Sequence, residues 1–388
     1  MADDPHEDDE MWIYKKHTRA KHEVLQYYLD IWIKKVSNER RTLRVFDCFA
    51  GRGDYVDSKD ADPIDLDTIS TSADYPGSPL VILDKASEYS HLFDSVECYF
   101  FEPKSGNRED LKKNLEGTEG DASNVHTNVI PEKFEEGVIK TIRQNGGFSG
   151  FGFFFIDPFG IQSIPFSIIS KITSTPKFDC IINLQTGHLV PWSGGEDYEK
   201  TNEIVYGTAN ARDEIESMEV DDPITAEAEY YCHRLEEAGT EYTIDYMLTE
   251  GTSRNLKYHL IFTSNSEHGF KHMRDAMMYC GTKYTLAYAP ERPEFHGDRQ
   301  ATLAGGHMLT EAEKAKGYLL SKFAAKSLTF DELVKQCYID RPRSKSLQKH
   351  YLKYLKQMHD EGKVQIPERD SDSLRKTYTI YFPEEEQV

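Results

Sequence analysis

A short stretch near the amino terminus combines an acid with two closely spaced glycines. Residues 47–53 read D-C-F-A-G-R-G and follow an apolar run. Such a turn after a strand lets backbone amides approach a nucleoside ligand that a side chain would exclude. A dinucleotide fingerprint needs a third glycine where the chain has Val56. S-adenosylmethionine carries no phosphate and fits better, which predicts cofactor contacts from Asp47, Phe49, Ala50, Gly51 and Gly53. The alternative is an ordinary turn.

A second acid ends the next β-rich run. Residues 96–102 read V-E-C-Y-F-F-E, and Pro103 follows them. In doubly wound sheets an acid at the end of the second strand binds both ribose hydroxyls, because a carboxylate offers two acceptor oxygens. We therefore predict that Glu102 binds the cofactor ribose, the alternative being a solvated strand end. Asn128, in the run H-T-N-V-I, is predicted to meet the adenine at the third strand.

A third acid follows a near-continuous apolar run. Residues 151–160 read F-G-F-F-F-I-D-P-F-G, which is typical of a central parallel strand buried on both faces. Pro158 cannot continue a central ladder, so the strand should present Asp157 at its carboxyl edge, where ligands bind in open α/β sheets.

This tetrapeptide has the parts needed to methylate an amine on a nucleobase. A carboxylate and a backbone carbonyl can hold the two N–H groups toward a methyl donor while an aromatic ring stacks on the base. We assign these catalytic roles to Asp157, the Pro158 carbonyl and Phe159. The alternative is a strand-ending D-P turn with a core phenylalanine.

Strands and helices alternate in the order that a doubly wound sheet requires. Helices are predicted over 78–89, 131–144, 166–173 and 225–238, the first with Ser78 as its cap and Pro79 in its first turn. Further strands are predicted at 178–184, 242–250 and 257–264, the last two separated by G-T-S turn chemistry. This βα alternation ending in a hairpin predicts an α/β fold with a Rossmann-like class I methyltransferase sheet.

Several ordered motifs resemble a known family. The stretches K-H-T-R-A-K-H-E-V-L-Q-Y-Y-L, F-D-C-F-A-G-R-G, G-S-P-L, F-E-P, D-P-F-G and I-I-N-L resemble the three-Cys-motif partner protein family, over residues 12–290. This bacterial, methyltransferase-like group is named for co-occurring with a separate protein that carries a three-cysteine, radical S-adenosylmethionine-like motif. The resemblance implies that protein as a partner.

The resemblance also bears on particular residues. It implies a lid over the cofactor from His17, Lys21 and His22 on the first amphipathic helix, the alternative being ordinary exposed histidines on a helix. The D-P-F-G element is similar to the corresponding loop of tRNA guanine-N2 methyltransferases, which implies an amine target. An acidic insertion at 54–76 departs from the family pattern, and it either covers the cofactor or obstructs it.

Composition limits the class of protein. A chain of 388 residues with 38% hydrophobic content is long enough for two packed domains. We expect an acidic disordered tail at 1–10, a methyltransferase-like domain at 11–300 and a second domain at 310–388. No apolar run approaches membrane-spanning length and no signal pattern opens the chain, so we expect a cytoplasmic protein without membrane contact. The six cysteines form no C-x-x-C pair, which favours reduced core thiols over a metal site or disulfides.

The carboxyl-terminal segment departs from the acidic average. A net charge of −21 argues against a nucleic-acid footprint over the whole surface, but residues 341–356 carry six basic side chains and no acid. Helices predicted at 311–324, 329–336 and 345–360, with strands at 364–366 and 377–382, have the order of a winged helix-turn-helix domain. A basic third helix suits a DNA groove or structured RNA, with contacts from Arg341, Arg343, Lys345 and Lys349. The alternative is an interaction domain with a solvated lysine face.

Together these observations predict a S-adenosylmethionine-dependent N-methyltransferase acting on an exocyclic base amine of RNA or DNA. His188, after the strand I-I-N-L, is predicted to face the target. One alternative is a cofactor-binding, non-catalytic subunit that recruits the three-cysteine protein or recognises nucleic acid. The other is a methyltransferase for a protein or a small molecule.

Overall fold

The structure is a computed structural model that divides the chain into two compact units, Met1–Glu291 and Arg292–Val388. The described residues are 16–37, 41–55, 75–116, 122–144, 150–186, 196–218, 220, 223–248, 258–283, 311–340, 348–367, 375 and 377–383. The predicted tail at 1–10 and residues 56–74 of the acidic insertion lie outside them. No helix in the described ranges is long and apolar enough to span a bilayer.

The first unit is built on one seven-stranded sheet in the order β3-β2-β1-β4-β5-β7-β6. Strands β1 to β5 pair in parallel, while β7 runs antiparallel to both of its neighbours. This is the strand order of a Rossmann-like class I methyltransferase sheet, so the predicted fold class and the closing hairpin are confirmed. The strands are β1 Thr42–Asp47, β2 Ser95–Phe101, β3 Val125–Ile130, β4 Gly152–Ile156, β5 Phe178–Leu184, β6 Tyr242–Leu248 and β7 Tyr258–Ser264.

Helices cover the sheet on both faces. On one face Phe46, Tyr99 and Phe154 stack ring on ring across three strands. On the other face Tyr28 and Trp32 of the first helix pack against Phe153. Every residue of β4 and β5 is buried, as expected for central strands covered on both sides. The helices of this unit are α1 Lys16–Val36, α2 Ser78–Glu88, α3 Ser105–Glu116, α4 Phe134–Gln144, α5 Phe166–Thr173, α6 Glu196–Tyr206, α7 Ala211–Glu216, α8 Pro223–Glu237 and α9 Glu267–Lys283.

Helix α2 differs from the prediction in its capping. The predicted cap, Ser78, is the first helical residue, and Gly77 takes the N-cap position. The Ser78 hydroxyl instead donates to the carboxylate of Asp47, which is buried at the end of β1. Ser78, which the local sequence predicts to be a helix cap, therefore makes a tertiary hydrogen bond instead.

Four helices of this unit, α3, α6, α7 and α9, are not indicated by the motifs in the sequence. Helix α3 shows why, because it buries only Leu111 and Leu115 and has a short apolar pattern. Helix α4 begins at Phe134, later than the predicted start at residue 131. Apolar periodicity is a weak signal in helices that bury so little surface.

Helix α1 is anchored across the sheet by a buried polar cluster. The hydroxyls of Tyr28 and Ser264 donate to the two oxygens of Asp179 at 2.7 and 2.5 Å. Burial raises the pKa of Asp179 to about 6. A Cβ on Gly269 would lie 2.5 Å from the Ser264 hydroxyl, so only glycine fits there. This anchor lies near the start of β5, which leaves the first turns of α1 over the opposite, carboxyl edge of the sheet.

The second unit contains three helices and two short strands. They are α10 Glu311–Phe323, β8 Ser327–Thr329, α11 Phe330–Asp340, α12 Gln348–Asp360 and β9 Thr379–Tyr381. β8 pairs antiparallel with β9, and Gln365 forms a bridge to Tyr381. A capping box begins α11, since the Thr329 amide donates to Glu332 at 2.8 Å and the Glu332 amide donates to the Thr329 hydroxyl at 3.3 Å.

Candidate functional site

The turn after β1 is shaped by two glycines in the left-handed region. Gly51 has a φ of 62° and Gly53 a φ of 90°, which residues with a Cβ rarely adopt. The Gly77 amide donates to the Gly53 carbonyl at 2.9 Å, and a Cβ on Gly77 would lie 2.8 Å from that oxygen. The Ala50 amide donates to the Phe101 carbonyl at 3.0 Å and ties the turn to the end of β2. The turn is therefore a rigid stretch of backbone that a ligand can approach closely.

Asp47 is fully buried at the carboxyl end of β1. Its Oδ1 accepts the Phe49 amide at 3.2 Å, and the Ser78 hydroxyl also donates to this carboxylate. Within the described residues no donor reaches its Oδ2. Burial raises the pKa of Asp47 to about 7, and the nearby Asp157 and Glu102 add to the shift. Since buried polar atoms are nearly always hydrogen-bonded, this oxygen marks a place for a cationic or N–H group of a ligand.

Glu102 directly follows β2 and turns back toward the start of α3. Its Oε1 accepts the Lys104 amide at 2.7 Å, and the Asn107 side chain donates to the same carboxylate. The residue is buried, and burial raises its pKa. A carboxylate has about four acceptor positions, so this one can still accept hydroxyl groups from a ligand.

Asn128 lies inside β3, ahead of the strand's end at Ile130. Its Nδ2 donates to Glu97 Oε2 at 3.3 Å and to the Cys98 carbonyl at 3.4 Å, both on β2. The amide nitrogen is thus used within the sheet, and a ligand contact from Asn128 would have to use its Oδ1. The adenine contact stays a prediction.

Asp157 follows β4 and is held by two donors from different elements. The Nζ of Lys21, on α1, lies 2.5 Å from Oδ2, and the Nδ2 of Asn183, at the end of β5, donates to Oδ1 at 2.6 Å. The Lys21 and Asp157 side chains are 7% and 14% exposed. Each carboxylate oxygen keeps a second acceptor position, so Asp157 can still bind an N–H group.

The two residues after Asp157 differ sharply in environment. The Pro158 carbonyl accepts the Gln185 Nε2 at 2.8 Å, which uses one of its two lone pairs. Phe159 is 55% exposed, so it is not the core phenylalanine of the alternative interpretation. An exposed aromatic ring beside a carboxylate can stack on a planar ligand.

The first turns of α1 form a buried polar stripe over this edge of the sheet. Thr18, Lys21 and His22 are all buried although all three are polar. Burial, followed by the charge of Lys21, lowers the pKa of His22 to about 3, so this imidazole is neutral at physiological pH. The His22 ring also lies 5.7 Å from the ring of Tyr55, centroid to centroid. The side chain of His17 lies outside the described part of the structure.

Two residues of the site, Asn183 and Gln185, were not assigned a role from the sequence. Both come at the end of the apolar run that forms β5. The signal that could have found them is the return of polar residues at the carboxyl end of a fully buried strand, where ligands bind in such sheets.

Of the five predicted substrate contacts, the structure describes Lys349. His188, Arg341, Arg343 and Lys345 lie outside the described residues. Lys349 is exposed on α12 of the second unit, and Lys353 is exposed one turn later on the same helix.

Metal binding has no support in the described ranges. They contain no group of three or more His, Cys, Asp and Glu side chains placed to hold a metal ion. Five of the cysteines are buried, as core thiols are: Cys48, Cys98, Cys180, Cys232 and Cys337.

Comparisons with known proteins give structural likeness only. No protein-family model and no curated protein matches the chain. Precorrin-6y C5,15-methyltransferase from Geobacter metallireducens is similar at 11% identity and a TM-score of 0.29, over 61% of this chain and 87% of that one. A mutant of the protein MtNAS matches at 12% identity and a TM-score of 0.26, over 61% and 60% of the two chains. A DUF574 family protein from Streptomyces avermitilis matches at 9% identity and a TM-score of 0.28, over 61% and 81%.

These TM-scores are low, so the class of the protein rests on its own sheet. The strand order and the antiparallel seventh strand define a class I methyltransferase fold. At the carboxyl edge of that sheet the fold gathers Asp47, Glu102 and Asp157 around a glycine turn.

Proposed function

We propose that the first unit binds S-adenosylmethionine and transfers its methyl group to an exocyclic amine of RNA or DNA. The observation that carries this proposal is that Asp47, Glu102 and Asp157 stand at the carboxyl ends of the neighbouring strands β1, β2 and β4, at one edge of the sheet. Two of these acids flank the glycine turn, and the third ends the neighbouring strand β4. The carboxyl edge of the sheet can therefore hold a cationic nucleoside and, next to it, the amine that accepts the methyl group.

The chain's residues fit this cofactor. S-adenosylmethionine carries an ammonium and a sulfonium charge, and the unpartnered Asp47 Oδ2 suits the ammonium group. Glu102 suits the ribose hydroxyls, because it keeps acceptor capacity beside its bond to the Lys104 amide. The Gly51 to Gly53 turn, with Phe49 and Ala50 before it, lets the cofactor lie against backbone. Asn128 is proposed to accept an adenine N–H through its Oδ1.

The proposed chemistry is a direct displacement. The bound cofactor supplies an electrophilic methyl group. Asp157 and the Pro158 carbonyl accept the N–H groups of the amine and turn its nitrogen lone pair toward that carbon, while Phe159 stacks on the base. Asp157 would stabilise the positive charge that develops on the amine nitrogen during methyl transfer, and it would then accept the proton that this nitrogen loses.

A nucleic acid is the substrate that the second unit favours. Its order of helix, strand, two helices and a closing strand pair supports a winged helix, with α12 as the third helix. Lys349 and Lys353 are exposed on that helix, where they can meet phosphates. His188, Arg341, Arg343 and Lys345 are proposed as further substrate contacts.

Two measurements test the proposal. Calorimetric titration should detect S-adenosylmethionine binding by the full chain, and binding should be lost in Asp47→Asn. Labelled methyl groups should then be transferred to bulk RNA or DNA. Failure of the wild-type protein to bind the cofactor would overturn the proposal outright.

A second candidate function has its own support. Lys21, Asn183 and Gln185 already donate to Asp157 and Pro158, as they would in a site used for binding rather than catalysis. Such a subunit would bind the cofactor, and it would recruit the three-Cys-motif protein or a nucleic acid through its second unit. Cofactor binding without methyl transfer to RNA, DNA, protein or small molecules would favour this function.

A further inference from the structure

A buried histidine–aspartate pair on the last two strands of the sheet has no role in the proposed chemistry so far. His259, on β7, and Asp245, on β6, are both buried. The Nδ1 of His259 lies 3.3 Å from Oδ2 of Asp245. Within the described residues no hydrogen-bond partner reaches the His259 Nε2. Since buried polar atoms are nearly always hydrogen-bonded, this nitrogen indicates a place for a bound group.

The Asp245 carboxylate determines which ring nitrogen of His259 carries a proton. A carboxylate can only accept hydrogen bonds, so Nδ1 is the donor of this pair. The Nε2 atom is then an acceptor in the neutral ring and a donor in the protonated ring. A hydroxyl group suits both forms, because it can donate as well as accept. A group that only donates or only accepts suits one form.

The pair lies at the same edge of the sheet as the candidate site. His259 pairs with Leu184, the last residue of β5, which places it at the carboxyl edge. Two strand spacings of about 4.8 Å separate β7 from β4, so His259 is roughly 10 Å across the edge from the end of β4. A nucleotide that holds its amine at Asp157 and lies across the strand ends therefore reaches His259 with its sugar or with its neighbour's sugar.

The sugar is favoured over the base because the two positions lie on opposite faces of the sheet. Cross-strand partners share a face, so the His259 side chain lies on the face of Leu184. Asn183, one residue earlier, lies on the other face and donates to Asp157. The group that meets His259 is thus not the amine that Asp157 is proposed to hold.

A second unpartnered atom lies at the end of β5. The Thr186 amide donates to the Leu184 carbonyl at 3.1 Å, and the residue is buried. No partner among the described residues reaches its Oγ1. A threonine hydroxyl, like the His259 Nε2, can either donate or accept. Two such atoms near the same strand end favour a ligand with hydroxyl groups.

We propose that His259, oriented by Asp245, binds a sugar hydroxyl of the methyl-accepting strand, and that Thr186 binds the same sugar. This inference rests on the proposed function and narrows its substrate. Within a strand only ribose carries a free hydroxyl, at its 2′ position, so the contact selects RNA over DNA. Asp245 is a positioning residue in this arrangement, and His259 and Thr186 contact the substrate.

Oligonucleotides that differ only in the sugar test this inference. The probes are a short single-stranded RNA of mixed sequence, its 2′-fluoro counterpart and the DNA of the same sequence. The 2′-fluoro sugar keeps the ribose pucker but cannot donate a hydrogen bond. Each probe is titrated with the full chain and S-adenosylhomocysteine. We expect the wild-type protein to bind the RNA about tenfold more tightly than the other two probes, because they lack the hydrogen bonds of the hydroxyl.

Variants of the histidine–aspartate pair separate hydroxyl binding from a structural role. His259→Phe keeps a buried ring without Nε2, and it should lower the preference for RNA over 2′-fluoro RNA to less than about threefold. Affinity for 2′-fluoro RNA should stay as in the wild type. His259→Gln places an amide near the position of Nε2 and should restore part of the preference. Asp245→Leu leaves the ring without its orienting partner and should lower the preference as His259→Phe does.

Threonine variants provide an independent measurement. Thr186→Val keeps the side-chain shape without the hydroxyl, and it should also lower the preference for RNA. Thr240→Val is the matched control, because this buried hydroxyl donates to the Thr173 hydroxyl at 2.8 Å, at the amino edge of the sheet. The control should leave the preference unchanged.

The outcomes distinguish this inference from the proposed function. Equal wild-type affinity for RNA and 2′-fluoro RNA, or an unchanged preference in a folded His259→Phe variant, overturns the role of His259. Methyl transfer to either polymer would then still support the proposed function. Absence of binding to every oligonucleotide overturns both. Should His259→Phe fail to fold, the wild-type preference together with Thr186→Val decides the case.

Discussion

Lys21 and Asp157, 136 positions apart in the chain, form a buried ion pair with Nζ 2.5 Å from Oδ2. The pair joins the first turns of α1 to the carboxyl edge of β4. Because α1 is also anchored near its middle by the hydrogen bond from Tyr28 to Asp179, the helix is fixed at both edges of the sheet. The lysine that holds the helix is thus also the cation that faces the candidate catalytic acid.

Replacing Lys21 should destabilise the fold. Lys21→Met leaves the Asp157 carboxylate buried without its cation, and we expect a loss of about 3 to 5 kcal/mol in the free energy of unfolding, measured by denaturant titration. Lys34→Met is the control, because its ion pair with Asp30 is half exposed and should contribute less than about 1 kcal/mol. Equal losses of unfolding free energy in the two variants would show that the Lys21–Asp157 ion pair stabilises the fold no more than an exposed ion pair does.

The free energy of unfolding should fall as pH rises, because folding raises the pKa of Asp47. Its pKa is about 7 in the folded chain against 3.8 for an ordinary aspartate, so folding favours the protonated form. The associated stability is fully present below pH 4 and is lost as pH rises to 7. At 1.36 kcal/mol per pKa unit the loss is roughly 4 kcal/mol. In Asp47→Asn the free energy of unfolding should not show this dependence on pH. If the free energies of unfolding of the variant and the wild type change in parallel from pH 4 to 8, the prediction is wrong.

The strands and their order follow from patterns that are local in the sequence. The run from Phe151 to Ile156 predicts a central strand, and the acids Asp47 and Glu102 follow their strands as expected in this fold. Parallel strands bring their carboxyl ends to one edge, which explains why residues far apart in sequence could be grouped from their positions alone.

The partners of these acids could not be predicted in the same way. Lys21 reaches Asp157 because α1 packs across the sheet, whereas Asn183 reaches it through the pairing of β4 with β5. No spacing within one segment of the chain encodes either contact. Ser78 has the local signature of a helix cap but donates to Asp47, because both residues are buried and the buried acid needs a hydrogen-bond donor. Tertiary contacts outweighed local propensity at these positions.

Removing the proposed ribose acceptor should weaken cofactor binding. Glu102→Ala is expected to reduce S-adenosylmethionine affinity by about 2 to 3 kcal/mol, since hydrogen bonds to a charged acceptor are lost. Calorimetry measures the change, and Glu109→Ala, an exposed acid on α3, is the matched control. Unchanged affinity in a folded Glu102→Ala protein would remove this residue from the site.

Asp157 should matter for transfer and not for cofactor affinity. Asp157→Ala removes interactions made with the acceptor amine, so we expect methyl transfer to fall at least about 100-fold while cofactor affinity stays within about threefold. Asp157→Asn should recover part of the activity, because its amide oxygen is still an acceptor. A fully active Asp157→Ala enzyme would rule out amine positioning by this acid.

The basic segment of the second unit should supply most of the affinity for nucleic acid, because the rest of the chain is strongly acidic. Replacing Arg341, Arg343, Lys345 and Lys349 by Ala should lower RNA or DNA affinity and reduce the slope of log affinity against log salt by roughly three, at about 0.7 to 0.9 per phosphate contact. Cofactor affinity should not change. The control replaces four exposed lysines of the first unit: Lys112, Lys113, Lys133 and Lys171. If both quadruple variants keep the wild-type salt slope, or if the wild type binds neither polymer at low salt, the second unit is a protein-docking module and the non-catalytic function gains support.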